Sequence, residues 1–110
     1  MDNTEVQYAV KDITERLKKR YKPQMLVLFG SCANGRVRDD SDIDMLVVKD
    51  TKSPPRQRWM QVCKIARNLK RRIPFEPIII TPKELEKRKR LNDPFLKEIF
   101  QTGKVIYNEN

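Results

Sequence analysis

The sequence predicts a small α/β (α+β) domain, with a β-sheet of three to four strands flanked by helices. Three observations carry this. Val6, Val10, Ile13 and Leu17 recur at helical spacing, while short apolar runs at 25–29, 43–48 and 75–80 have strand length and β-character. Segments with helical patterning lie between those runs. At 110 residues the chain is bounded to one domain, 1–110, with one modest core.

The elements follow in order. A helix runs from about Thr4 to Tyr21 and is ended by Pro23. Met25–Phe29 is a buried strand stopped by Gly30, and the turn-rich stretch Ser31–Ser41 leads to a second strand, Ile43–Val48. Ser53-Pro54-Pro55 opens a long helix to about Arg72, with Ser53 as its cap and Trp59, Val62, Ala66 and Leu69 as its apolar face. This places Trp59 in the core. Phe75–Ile80 is a third strand, and Pro77 inside it predicts an edge position or a bulge. Thr81-Pro-Lys-Glu84 has the form of a capping box and starts a short helix. Asp93-Pro94 starts another, which turns Phe95, Leu96, Ile99 and Phe100 inward and is closed by Gly103. Val105–Tyr107 reads as a last short strand.

Composition removes several chemistries. The absence of histidine excludes Ser-His-Asp and Cys-His hydrolysis, histidine-ligated zinc and any phosphohistidine intermediate. Cys32 and Cys63 are too few for a zinc site or a disulfide framework and suit a reducing compartment. The N-terminus MDNTEVQYAV lacks the basic and apolar regions of a signal peptide, and no apolar run approaches membrane-spanning length, so a cytoplasmic location is expected. The chemistry is left to carboxylates, Ser, Lys, Arg, Tyr or a metal.

The densest signal is Gly30-Ser31 at the end of the first strand, ten residues, then Asp42-Ile43-Asp44 at the start of the second. Side chains alternate along a strand, so Asp42 and Asp44 share one face, about 7 Å apart at the α-carbons. Two such carboxylates repel, and a bound divalent cation removes the penalty. Oxygen-only ligands suit Mg²⁺, and a pair of ions activates an attacking oxygen and stabilises a leaving one. Gly30 lets the backbone approach a phosphate, Ser31 offers a hydroxyl and an N–H, and Arg36 and Arg38 add positive charge nearby. Glu76, in the third strand, is the candidate third acid, either ligating a metal or taking a proton. Taken singly, each of these features has an ordinary reading as a strand-end or loop residue; their combination between two apolar strands favours phosphate and metal. Gly30–Gly35 has the G-x-x-x-x-G spacing of a P-loop, but Arg36-Val37 follows in place of Lys-Ser/Thr, which excludes that motif.

The pattern G-S-x10-D-x-D resembles the signature of the polymerase-β-like nucleotidyltransferase superfamily. The short length and the ending Phe95–Tyr107 are similar to its minimal (MNT) branch, often encoded beside a HEPN-domain partner. The similarity covers roughly Met25 to Tyr107. It implies a mixed sheet in the nucleotidyltransferase fold, two Mg²⁺ ions and ATP as donor. It also implies that Gly30 and Ser31 lie on the triphosphate, that Asp42 and Asp44 hold the metals, and that Glu76 stands where the family has a third acid. For HEPN-paired members it implies an antitoxin that transfers AMP onto a hydroxyl of the partner RNase toxin. Arginines commonly follow the Gly-Ser in this branch; here Cys32 and Asn34 stand in those places, and Glu76 stands where Asp is common. The alternative reading is a catalytically weak or inactive antitoxin that neutralises its partner by binding.

Net charge is +9, and no acid lies between Asp50 and Glu76, a stretch that carries Arg56, Arg58, Lys64, Arg67, Lys70, Arg71 and Arg72. A solvated helix face, an acidic partner and nucleic acid held through segment 56–72 all fit such a stretch. A small-molecule acceptor ranks low, because 110 residues leave little room for an acceptor-binding domain.

Overall fold

Eight elements follow one another in the computed structural model, which describes residues 3–109: α1 (Asn3–Arg20), β1 (Met25–Phe29), β2 (Ile43–Val48), α2 (Pro55–Ala66), β3 (Phe75–Ile80), α3 (Pro82–Arg90), α4 (Pro94–Thr102) and β4 (Lys104–Asn108). The expectations about the leader and the outer limits of the domain fall partly on residues 1, 2 and 110, outside the described residues. Strand order is β3-β2-β1-β4. β1 is antiparallel to β2 and to β4, whereas β2 and β3 are parallel, so the sheet is mixed, as expected. A parallel pair needs a crossover, and α2 supplies it. Among the described residues no helix is long and apolar enough to cross a membrane.

Alternation along the strands sorts the core into two layers. Leu26, Leu28, Ile43, Met45 and Val47 face α1 and α2, where Val6, Ala9, Ile13, Leu17, Val62 and Ala66 close over them. Val27, Leu46, Val48 and Ile80 face Leu85 of α3 and Leu96 and Ile99 of α4. The helix α1 ends where Lys22 enters the left-handed region (φ 56°) and its N–H reaches back to Leu17 O (2.8 Å), one residue before Pro23. Pro77 sits on β3, an outer strand, as its missing N–H requires.

Four expectations need correction, all concerning helix faces or ends. The helix expected to reach Arg72 stops at Ala66. Asn68 takes the next turn out of register: its Oδ1 accepts from Lys70 N–H (3.0 Å) and its Nδ2 donates to Asp12 (3.1 Å). Arg71 then donates to Ala66 O (2.7 Å), capping the shortened helix from outside. Ser53 does not cap α2; Pro54 holds the cap position, and Ser53 O instead accepts from Arg58 Nε (2.6 Å). The buried face of α2 is Arg58, Val62 and Ala66, so Trp59 and Leu69 are exposed and not core. Phe95, expected inward, is likewise exposed.

Arg58 is buried because it has partners. Its Nη1 meets Glu84 Oε1 at 2.8 Å, which ties α2 to α3. Glu84 also completes the capping box with Thr81. The Thr81 N–H and then the Arg58 guanidinium hold the Glu84 carboxyl below its usual range. Asp93 caps α4 as expected, accepting from Phe95 and Leu96 N–H. Gly103 ends that helix for a reason other than a positive φ: a Cβ there would run into the carbonyls of Ile99 and Leu28.

Candidate active site

The loop between β1 and β2 begins with Gly30 in the left-handed region (φ 76°), and a Cβ at this position would collide with Asp44 Oδ2. The glycine therefore makes room for a carboxylate of the neighbouring strand. Ser31 Oγ donates to Ser41 Oγ (3.1 Å), and Arg38 N–H donates to the same oxygen (2.7 Å). Ala33 N–H reaches Gly30 O (3.1 Å) and Arg36 N–H reaches Ser31 O (3.0 Å), so the loop turns tightly at once. The Cys32 thiol donates to Asp42 O (3.3 Å), a second tie between the two ends of the loop. Burial pushes that thiol up, Ser31 opposes this, and Asp44 and Asp42 add to it, so Cys32 is held as a neutral strut.

The acids come from two strands. Asp44 lies opposite Phe29 on one side and opposite Glu76 on the other, so Asp44 and Glu76 share a face at one strand spacing, about 4.8 Å between backbones. Asp42, two residues earlier, points to the same side by alternation. Burial raises the Asp44 carboxyl above its ordinary value, and the charges of Asp42 and Glu76 raise it further. Glu76 is exposed and Asp42 and Asp44 are half-buried.

Among the described residues no three acids or thiols come close enough to hold a metal ion by themselves. The donor set still fits Mg²⁺, which is normally held by one or two carboxylates with water and substrate phosphates completing its shell. Burial and then the two neighbouring carboxylates oppose the charge on Asp44, a penalty that a bound cation would relieve.

The residues expected to act together are thus partly gathered. Gly30, Ser31, Asp42, Asp44 and Glu76 meet at one end of the sheet. Arg36 and Arg38 are exposed on the loop, with their backbone N–H groups engaged in its turns, and nothing among the described contacts joins their guanidinium groups to the acids. Sequence reasoning treated Ser41 as a turn residue, yet it is buried (7%) and its hydroxyl secures the loop. A serine directly before the first aspartate and ten residues after another serine was the available signal. The basic segment also divides: Arg58 and Arg71 are turned inward, while Arg56, Lys64, Arg67, Lys70 and Arg72 remain exposed.

The family model for the polymerase β nucleotidyltransferase domain matches residues 11–110. This chain belongs to that family. Among curated relatives, the "Putative protein adenylyltransferase MJ0604" of Methanocaldococcus jannaschii is 28% identical over 103 residues, spanning 90% of this chain and 95% of the relative. The fold is shared with the crystal structure of a "putative nucleotidyltransferase" from Sulfolobus solfataricus, at TM-score 0.66 and 19% identity over 97% of this chain and 84% of that one. It is shared as well with a spectinomycin adenyltransferase from Enterococcus faecialis solved with ATP and spectinomycin. There the TM-score is 0.65 and identity 16%, over 94% of this chain but only 56% of that one. Family membership and fold together place the chain among the nucleotidyltransferases.

Proposed function

We propose that this nucleotidyltransferase transfers AMP from ATP to a hydroxyl of a partner protein, depends on Mg²⁺, and acts as the antitoxin to a HEPN-domain RNase toxin in the cytoplasm. The observation that carries the reading is the convergence of Asp42, Asp44 and Glu76 beside the Gly30-Ser31 turn. The relative described as a protein adenylyltransferase supports a protein acceptor. The small domain, which spans little more than half of the spectinomycin enzyme of the same fold, supports an acceptor that brings its own binding surface. Two free thiols, Cys32 and Cys63, fit a reducing compartment.

Gly30 and Ser31 would lie against the triphosphate, with N–H and hydroxyl groups directed at oxygens that gain charge in the transition state. Asp42, Asp44 and Glu76 would hold two Mg²⁺ ions, which when bound neutralise the triphosphate and favour an ionised attacking oxygen. The acceptor oxygen attacks the α-phosphorus as the bond to the β-phosphate's bridging oxygen breaks. Pyrophosphate leaves with that oxygen, and Glu76, the most exposed of the three acids, either completes the metal site or takes the acceptor's proton.

Incubation with α-labelled ATP, Mg²⁺ and the product of the adjacent gene tests the proposal. Label is expected on that product and is expected to fall by about 10²–10³-fold in Asp42→Asn, on the scale of losing one transition-state contact, and to vanish with EDTA. Label that survives EDTA, or no label at all, sinks it. Neutralisation by binding alone is a second reading, favoured by Cys32 and Asn34 in place of the family's arginines. An Asp42→Asn/Asp44→Asn double variant that still silences the toxin would establish it.

A further inference from the structure

Three aromatic side chains stand exposed among the described residues: Tyr8, Trp59 and Phe95. Tyr8 and Trp59 belong to α1 and α2, which pack on the face of the sheet opposite the acids. Phe95 belongs to α4, on the acid face. A single exposed phenylalanine is ordinary; its place here is not. The ring meets Phe29 in a T-shaped contact, with centroids 5.9 Å apart and planes at 88°. Phe29 stands opposite Asp44, and Asp44 opposite Glu76. One row across the sheet therefore runs Phe29, Asp44, Glu76, and Phe95 borders its Phe29 end. We propose that Phe95 is the platform on which the base of the donor nucleotide stacks. This rests on the reading of the acid row and the Gly30-Ser31 turn as the metal and phosphate site, not on the identity of the acceptor.

The geometry of the transfer selects a nucleobase over a ring of the acceptor. In-line displacement sets the attacking oxygen and the leaving pyrophosphate on opposite sides of the α-phosphorus. The Gly30-Ser31 turn takes the pyrophosphate, and the exposed Glu76 end of the row is the end that the acceptor enters. The nucleoside is the remaining large substituent on that phosphorus, so it departs to the side. One side is the open end of the sheet; the other is the edge of the α3 and α4 roof, where Phe95 stands. Phe95 is fixed at its root. It lies in the first turn of α4, its N–H donates to Asp93 Oδ1 (2.9 Å), and Asp93 Oδ2 accepts from Arg88 Nε (2.8 Å). The side chain remains 43% exposed, so it keeps surface for a base to cover. Bases stack on aromatic rings whatever their identity. Phe95 therefore supplies affinity for the nucleoside, and purines, with more surface to bury, gain more than pyrimidines.

Calorimetry on the full chain compares a ligand that has a base with one that lacks it. The α,β-methylene analogue of ATP, which cannot turn over, and inorganic triphosphate are each titrated with Mg²⁺ into wild type, Phe95→Leu and Phe95→Tyr. Leucine keeps an apolar contact for Phe29 but has no ring. Phe95→Leu is expected to bind the ATP analogue about tenfold more weakly and triphosphate as wild type does, while Phe95→Tyr should match wild type for both. Equal losses for the two ligands, or unchanged affinity for the analogue, overturns the proposal. Trp59 is the single tryptophan, so Phe95→Trp in a Trp59→Phe background carries one reporter, at the platform. The ATP analogue is expected to quench it and triphosphate is not; no quenching overturns the proposal. In the labelling assay Phe95→Leu should raise KM for ATP and leave KM for the protein acceptor unchanged; the reverse assigns the ring to the acceptor and overturns the proposal as well. If wild type binds the analogue but labels no protein, the acceptor reading fails by itself, and the titrations still decide the platform. If it binds neither ligand, the phosphate site fails and the platform with it.

Discussion

The two faces of the sheet are built from the same strands but end differently. On the α1 and α2 side, Ile43, Met45 and Val47 keep β2 buried from its first residue to near its last. On the other side Leu46 and Val48 are covered by α3 and α4, but the next place in the row is Asp44, with Phe29 and Glu76 beside it. The roof of two short helices stops short of one end of the sheet, and the acids stand where it stops. One face serves stability alone, and the other divides its length between stability and chemistry.

Truncating one residue on each face should give the largest effect and should not distinguish them. Met45→Ala and Leu46→Ala, both fully buried, should each cost about 2–5 kcal/mol in denaturant unfolding. A much smaller loss for Leu46→Ala would mean that the α3 and α4 roof is loosely packed. The loop glycines sharpen the contrast next. Gly30 and Gly35 both have positive φ, but only Gly30 is pressed against a side chain, that of Asp44. Gly35→Ala should cost about 1 kcal/mol from backbone strain alone. Gly30→Ala should cost about 2–3 kcal/mol and displace Asp44, with loss of nucleotide binding by calorimetry; equal melts for the two variants would contradict the contact.

The smallest effect is a gain. The Asp44 carboxyl titrates above its ordinary value of 3.8 because burial and two neighbouring acids oppose its charge. The folded state therefore holds that proton longer than the unfolded chain does. Wild-type stability should decline as pH rises from 3.8 through the raised titration, then level off, relative to Asp44→Asn. In Mg²⁺-free buffer at neutral pH, Asp44→Asn should melt slightly higher than wild type, and added Mg-ATP should reverse the order. A variant that melts lower at neutral pH without Mg²⁺ would show that the acid row is not under repulsion.

Strand positions were legible from the sequence because each β-run is short, apolar and stopped by a turn residue, as Phe29 is by Gly30. The acid row was legible because alternation fixes Asp42 against Asp44. What alternation could not supply was sheet order, and with it the register that sets Glu76 opposite Asp44. The apolar face of α2 was misread for a physical reason. Trp59 and Leu69 fit a helical stripe, but Arg58, with Ser53 O and Glu84 as partners, is the side chain that goes inside. A buried arginine depends on partners far along the chain, as does the helix end that Arg71 and Asn68 enforce.

Ser41 fastens both Ser31 and the Arg38 backbone through one oxygen. The segment from 32 to 37 is therefore pinned at its base like a ring on a clasp. Within that ring Cys32, Ala33 and Val37 are held by the core and Gly35 by its backbone, so the exposed side chains of Asn34 and Arg36 are the ones that can change while the glycine turn keeps its distance from the aspartates.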